Sequence, residues 1–216
     1  MRCVYRSLAI LLTVLTAFTI QALSQRVVIS KKIYSALQSK TTKLSDSGPK
    51  RIKYEWQTMK DGIVVNSSYD IFEEDRKGRM REYNWKSDAG VISTTEEIYI
   101  GDDECYAKKN GAAWDRSCGF GGGRIGPGLQ YFPNQFDDYS IESVFLDGAT
   151  MQLLEHYTVF QNSPMTFTDD RIWIRGDGKV HGRQSISGTL NPREESERFV
   201  SSYEYDPNVK IEPPIK

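Results

Sequence analysis

Hydrophobic and polar residues alternate through most of this chain. Ile52, Tyr54, Trp56 and Thr58 are separated by Lys53, Glu55 and Gln57, the period-two pattern of a strand with one face turned inward. Asp61-Gly62 turns the chain into Ile63, Val65, Ser67, Tyr69 and Ile71, and Lys77-Gly78 turns it again into Met80 to Trp85. After Asp88-Ala89-Gly90, Ile98 and Ile100 alternate with Glu97, Tyr99 and Gly101. Gly101-Asp102-Asp103 supplies the next turn, Cys105 to Ala107 runs back, and Asn110-Gly111 predicts a further hairpin whose returning strand carries Trp114 and Cys118. These runs predict a meander of six strands by Cys118, each paired antiparallel with its neighbour in sequence.

Residues 119 to 136 interrupt the pattern with Gly119, Gly121, Gly122, Gly123, Gly126 and Gly128. Leu129 to Phe132 reads as the start of a short helix. No lysine-serine or lysine-threonine follows in P-loop order, so the glycines are not a phosphate cradle. Alternation resumes in Ile141–Leu146, Met151–Phe160, Phe167–Arg175, Lys179–Ser187 and Ser196–Tyr205, separated by turn residues such as Asp147-Gly148 and Gly176-Asp177-Gly178. That makes about eleven strands, and a twisted sheet of that size curls into a barrel or part-barrel. Ahead of the strands, residues 27 to 44 read as one helix, with Ile29, Ile33 and Leu37 on one side and Lys31, Lys32, Lys40 and Lys43 on the other. Asp46-Ser47-Gly48-Pro49 ends it.

The first 24 residues have the order of an export signal. Arg2 and Arg6 precede the apolar run Leu8 to Ile20, and Ala22-Leu23-Ser24 supplies small residues for cleavage. Gln21 ends the run short of the roughly 20 apolar residues that a membrane-spanning helix needs. Cleavage before Gln25 leaves 192 of the 216 residues, one domain over 25–216. The expected product is soluble and either periplasmic or secreted. Losing Arg2 and Arg6 leaves 26 basic against 29 acidic residues, a net charge of −3, which gives no reason to expect a nucleic-acid partner. Cys3 leaves with the signal, so Cys105 and Cys118 are the remaining thiols, and an even number in an exported chain favours a disulfide between them.

Catalytic and metal chemistry find little support. His156 and His181 lie on different predicted strands without the motifs that accompany catalytic histidines. Asp102-Asp103 falls at a predicted turn, where aspartate is favoured for backbone reasons, and the further acidic pairs Asp137-Asp138 and Asp169-Asp170 carry no accompanying catalytic motif. Two cysteines without a nearby histidine do not complete a zinc shell. Asn66-Ser67-Ser68 matches a glycosylation sequon within a strand. Neither cofactor nor metal is expected, and a hydrolase is kept only as a third class of function.

Two stretches carry a family resemblance. Glu97-Ile98-Tyr99-Ile100-Gly101-Asp102, followed by Cys105-Tyr106 and Asn110-Gly111 before Trp114, resembles a strand, turn and strand pattern of the LolA-like periplasmic lipoprotein carriers. Ile172-Trp173-Ile174, Gly176-Asp177-Gly178, Tyr203, Tyr205-Asp206 and Lys210-Ile211-Glu212-Pro213 are similar to that family's later strand and ending. The resemblance implies an incomplete antiparallel barrel, mainly β, with the N-terminal helix and the short helix covering its concave face. It also implies an apolar cavity that carries acyl chains or other apolar ligands without covalent chemistry. No arginine matches the family's lid residue by motif; Arg51, Arg79 and Arg81 are candidates by position only.

The residues expected to line such a cavity are the aromatics Tyr54, Trp56, Tyr69, Tyr106, Trp114, Phe160 and Trp173. Val65, Ile98, Ile100, Leu129 and Phe132 complete the expected set. The competing expectation is that these side chains fill a solid core, as in small barrels, and that the chain acts through its surface on an envelope protein. A monomer is expected in either case.

Overall fold

The computed structural model describes residues 25–88, 90–100, 104–116, 135–161 and 163–214. The strands are β1 (Val27–Val28), β2 (Lys50–Lys60), β3 (Ile63–Glu74), β4 (Met80–Asp88), β5 (Val91–Tyr99) and β6 (Cys105–Lys109), then β7 (Gln135–Leu146), β8 (Ala149–Phe160), β9 (Thr166–Ile174), β10 (Val180–Leu190) and β11 (Arg193–Glu204). One helix, α1 (Lys31–Ser45), lies between β1 and β2. Among the described residues these eleven strands form one antiparallel sheet in the order β1-β7-β8-β9-β10-β11-β2-β3-β4-β5-β6. β1 and β6 do not meet, so the sheet is an incomplete barrel. Two sequential meanders, β2 to β6 and β7 to β11, are joined by the long-range pair β11·β2.

The count of eleven agrees with the sequence pattern, but its makeup differs at two places. Residues 27 and 28 are not helical. They pair with Ile141 and Ser140 of β7, and the Ile29 N–H donates to the Tyr139 carbonyl at 2.9 Å. Two β-branched residues before a good N-cap favour this extended start. The helix begins only after Ser30, whose hydroxyl accepts from the Ile33 N–H. The other difference is the expected sixth strand through Trp114, for which the described residues show a single bridge between Ala107 and Asp115. The Asn110-Gly111 turn itself forms, with φ of 50° and 72° and the Ala112 N–H donating to the Lys109 carbonyl at 3.0 Å. The Asn110 backbone N–H also donates to the Thr94 carbonyl and its side-chain oxygen accepts from the Thr94 N–H, both at 2.9 Å, which ties the turn to β5. Cys118 and the short helix expected at Leu129–Phe132 lie outside the described residues.

In an antiparallel sheet, residues directly opposite each other point to the same face. One lateral row therefore runs across nearly the whole sheet: Tyr139, His156, Asp170, Ser185, Phe199, then Trp56, Ser68, Lys86 and Ser93. Helix α1 sits on this face over the β7 to β11 half. Its buried stripe is Tyr34, Thr41 and Ser45 with half-buried Leu37, a 3.6-residue spacing. Ile33, expected in the stripe, is 50 % exposed, because the stripe that faces the sheet runs through Tyr34, Leu37, Thr41 and Ser45. The core beneath it comprises Tyr34, Tyr139, Leu154, Ile172, Ile174 and Val180.

Small hydroxyl residues let the last turn of α1 approach the sheet closely. The Ser45 hydroxyl donates to the Thr41 carbonyl and accepts the Val180 N–H, both at 2.8 Å. Buried Lys50 donates to the Asp46 carbonyl at 3.0 Å and pairs with Glu74 at 2.8 Å. A cation at a helix C-terminus is favourable.

These contacts predict an order of destabilisation in urea unfolding. Leu154→Ala, at a fully buried position, costs about 3 kcal/mol. Ser45→Ala leaves the Val180 N–H buried without an acceptor and costs about 1–2 kcal/mol. Ile33→Ala costs less than about 0.5 kcal/mol. A loss at Ile33 as large as at Leu154 would contradict this placement of α1.

Candidate functional site

The residues expected in a cavity divide between the two faces of the sheet. Tyr54, Trp56 and Phe160 lie on the helix face. Tyr69, Ile98, Tyr106 and Trp173 lie on the opposite face, where Tyr69 pairs with Trp85, Ile98 with Tyr106, and Trp173 with Gly182. Val65 falls at an irregularity in β3 pairing and is 49 % exposed. Ile100 follows β5, and its N–H donates to the Glu104 carbonyl. Trp114 lies on the short return, with the Lys108 ammonium 4.6 Å from its ring centroid. Leu129 and Phe132 are outside the described residues.

Of that set, the structure brings Tyr54 and Trp56 together and adds Phe199, which the sequence reading missed. Their rings form one platform, with centroids 5.8 Å apart for Tyr54–Trp56, 5.2 Å for Trp56–Phe199 and 6.1 Å for Tyr54–Phe199. Trp56 and Phe199 are cross-strand partners at the β11·β2 junction. The alternation of Phe199, Ser201, Tyr203 and Tyr205 was the signal that could have marked Phe199.

Trp56 and Phe199 border a cavity of about 410 Å³. Its lining reaches from Lys86 and Asp88 on β4, through Thr58, Asn66 and Ser68, to Glu197, Ser187 and Ser185 on β10. β4 and β10 are four strand spacings apart, roughly 19 Å on a flat sheet. Lining one cavity from both strands requires the sheet to curl toward the helix face. α1 fills the other half of that face, so the cavity lies on the part that the helix leaves uncovered.

A glycine shapes one wall. Register shifts between Ser187 and Gly188, and a Cβ at Gly188 would stand 1.9 Å from the Glu194 carbonyl oxygen. The extra residue in β11 sets how Ser187 and Glu197 are presented.

Several polar clusters lie outside the cavity. Under α1, the Asp137 carboxylate accepts from the Thr158 hydroxyl at 2.8 Å and lies 2.9 Å from His156 Nε2. Tyr139 stacks on the His156 ring at 4.4 Å, and Tyr34 of the helix lies 5.6 Å from it. Thr158 is buried, so this cluster is packed beneath the helix and does not open into the cavity. Burial alone pushes the Asp137 carboxyl up, but hydrogen bonds from His156, Thr158 and Gln135 outweigh it and hold it below the usual range. Burial also pushes the Tyr34 phenol up to about 12.

On the opposite face, Glu96 is buried between Lys108, 2.6 Å away, and Arg81. Burial would raise its pKa. The hydrogen bonds from Lys108 and Arg81 win, and the carboxyl is held below its ordinary value. Asp75 follows the same logic through Arg79 and the N–H groups of Lys77, Arg79 and Ile211.

No family model and no curated protein matches the chain. Two solved structures are similar to it. One is described as an outer membrane lipoprotein-sorting protein domain from Vibrio parahaemolyticus, with 6 % identity over 81 % of this chain and 93 % of that one, at a TM-score of 0.29. The other is a DUF1329 family protein from Desulfovibrio piger, with 10 % identity over 83 % and 94 % of the two chains, at a TM-score of 0.26. Superpositions this loose say nothing about a ligand. Among the described residues, no helix is long and apolar enough to cross a membrane.

Two outcomes follow from this geometry. Glu96, Asp75 and Asp137 are depressed carboxyls, so their stabilisation is present above the unfolded carboxylate pKa of about 4 and is lost as pH falls through the lower folded values. Urea midpoints measured from pH 7 down to pH 2 should drop most steeply below about pH 4, and Glu96→Gln should flatten that drop. An acid limb unchanged in Glu96→Gln would remove Glu96 from the account. Gly188→Ala should destabilise the chain by about 2 kcal/mol or more, whereas Gly176→Ala, with open space around its Cβ position, should not.

Proposed function

We propose that this chain is a soluble exported carrier or sensor that holds a lipid-like amphiphile on the helix face of its incomplete barrel. The observation that carries this reading is the aromatic platform of exposed Trp56 with half-buried Phe199 and Tyr54 beside a cavity of about 410 Å³. Trp56 is 39 % exposed, and a large ring left partly in water at the wall of a concavity is suited to a ligand with apolar parts. Burying hydrocarbon against such rings yields roughly 0.8 kcal/mol per CH₂, enough to hold a ligand without bond-making chemistry. An export signal over residues 1–24 and a Cys105–Cys118 bridge belong to the same proposal.

The core under α1 supports a second reading. Leu154, Ile172, Ile174 and Val180 make that half of the face solid, as an interaction module with a filled interior would have it. Fluorescence titration with 11-(dansylamino)undecanoic acid separates the two. The carrier or sensor reading predicts saturable binding at one site, weakened at least about fivefold in Trp56→Ala and unchanged in Trp173→Ala. No saturable binding would leave the interaction module standing. Equal affinity in a folded Trp56→Ala protein would move the ligand away from the platform.

A further inference from the structure

The cavity wall is far more polar than an acyl chain requires. Of its fourteen lining residues, Trp56 and Phe199 are the apolar ones. A site built for hydrocarbon alone is lined mainly by apolar side chains, and every hydroxyl, amide or charge left facing hydrocarbon costs free energy. Thr58, Asn66, Ser68 and Ser187 instead present donors and acceptors along two adjacent lateral rows, at strand spacings of roughly 4.8 Å on either side of the aromatic pair. Among the described residues, the side chains of Asn66, Lys86 and Glu197 have no hydrogen bond or ion pair of their own.

Charge narrows the chemistry further. Lys86 and Arg198 on the wall are balanced by Asp88 and Glu197, two cations against two anions. A phosphate or carboxylate head would meet as much repulsion as attraction, and Arg198 is already engaged by Glu195 at 2.6 Å. An uncharged, hydroxyl-rich group avoids that conflict, because hydroxyls donate to Asp88 and Glu197 and accept from Lys86 and Asn66.

We propose that the cavity binds a neutral sugar ring, with the ring's C–H face laid on Trp56 and its hydroxyls shared among Asn66, Lys86 and Glu197. The C–H face carries positive partial charge and meets the negative face of the indole. The proposal rests on the carrier or sensor reading and names the head of the ligand that this reading leaves open. The sugar has two sources, the head of a glycolipid or a free saccharide, and the same pocket chemistry serves both.

Isothermal titration of the signal-free protein with three probes tests it: dodecyl maltoside below its micelle concentration, dodecanoate, and maltose. Dodecyl maltoside should bind at least about tenfold tighter than dodecanoate. Asn66→Ala and Glu197→Ala should each weaken the maltoside about five- to tenfold, the loss of one or two hydrogen bonds, and leave dodecanoate unchanged. Circular dichroism and thermal midpoints confirm that both surface variants fold. Equal binding of dodecanoate and dodecyl maltoside overturns the sugar assignment while the carrier or sensor reading survives. Maltose binding as tightly as the maltoside supports the sugar site with a free saccharide as its source, and overturns the amphiphile. Binding of none of the three overturns both.

Discussion

The pairing of β11 with β2 is the interaction on which the rest of the molecule depends. Eight residue pairs, from Glu197–Thr58 to Glu204–Arg51, join two meanders that are otherwise separate in sequence and local in their contacts. No turn brings these strands together. They meet only when the chain ends are aligned, and loop closure over such a separation has to be repaid by what the junction buries. The aromatic pair Phe199–Trp56 and the neighbouring Tyr54 sit on that junction, so the same rings that hold the sheet together also form the platform at its centre.

The route of the N-terminus follows from this arrangement. β1 lies at the outer edge beside β7, whereas β2 lies at the centre beside β11. The chain between them must cross one half of the sheet, and α1 is that crossing. It covers Leu154, Ile172 and Val180 and locks down through Ser45 and Lys50. The other half of the face receives no such cover among the described residues. One crossing helix thus divides the face into a packed half, which supplies stability, and a half that keeps a concavity.

Much of the fold was legible in the sequence because alternation reports strands directly. Ten of the strands follow from runs such as Ile52–Thr58, and described turns follow from pairs such as Asp61-Gly62 and Asp147-Gly148. What alternation does not report is which of two faces turns inward. Tyr54 and Trp56 stand on one face, while Tyr69, Tyr83 and Trp85 cluster on the other, with centroids 5.2 Å apart for Tyr69–Trp85 and 6.0 Å for Tyr69–Tyr83. Period-two spacing treats both sets alike, so the expected cavity residues were drawn from both. Phe199 was missed for a related reason: its importance comes from a partner more than a hundred residues away. The Asn110-Gly111 turn forms as that pair implies, while the described part of the Trp114 return meets β6 at the single bridge Ala107–Asp115, a register that Asn-Gly spacing does not reveal.

The central claim is that the ligand is held on the helix face at the β11·β2 junction. Photo-crosslinking with a diazirine-bearing amphiphile, read out residue by residue by mass spectrometry, tests it most directly. The account predicts adducts at Trp56, Phe199 and Asn66, suppressed by excess unlabelled amphiphile. Competed adducts confined to Tyr69, Tyr83 and Trp85 would place the ligand on the other side of the sheet and contradict it.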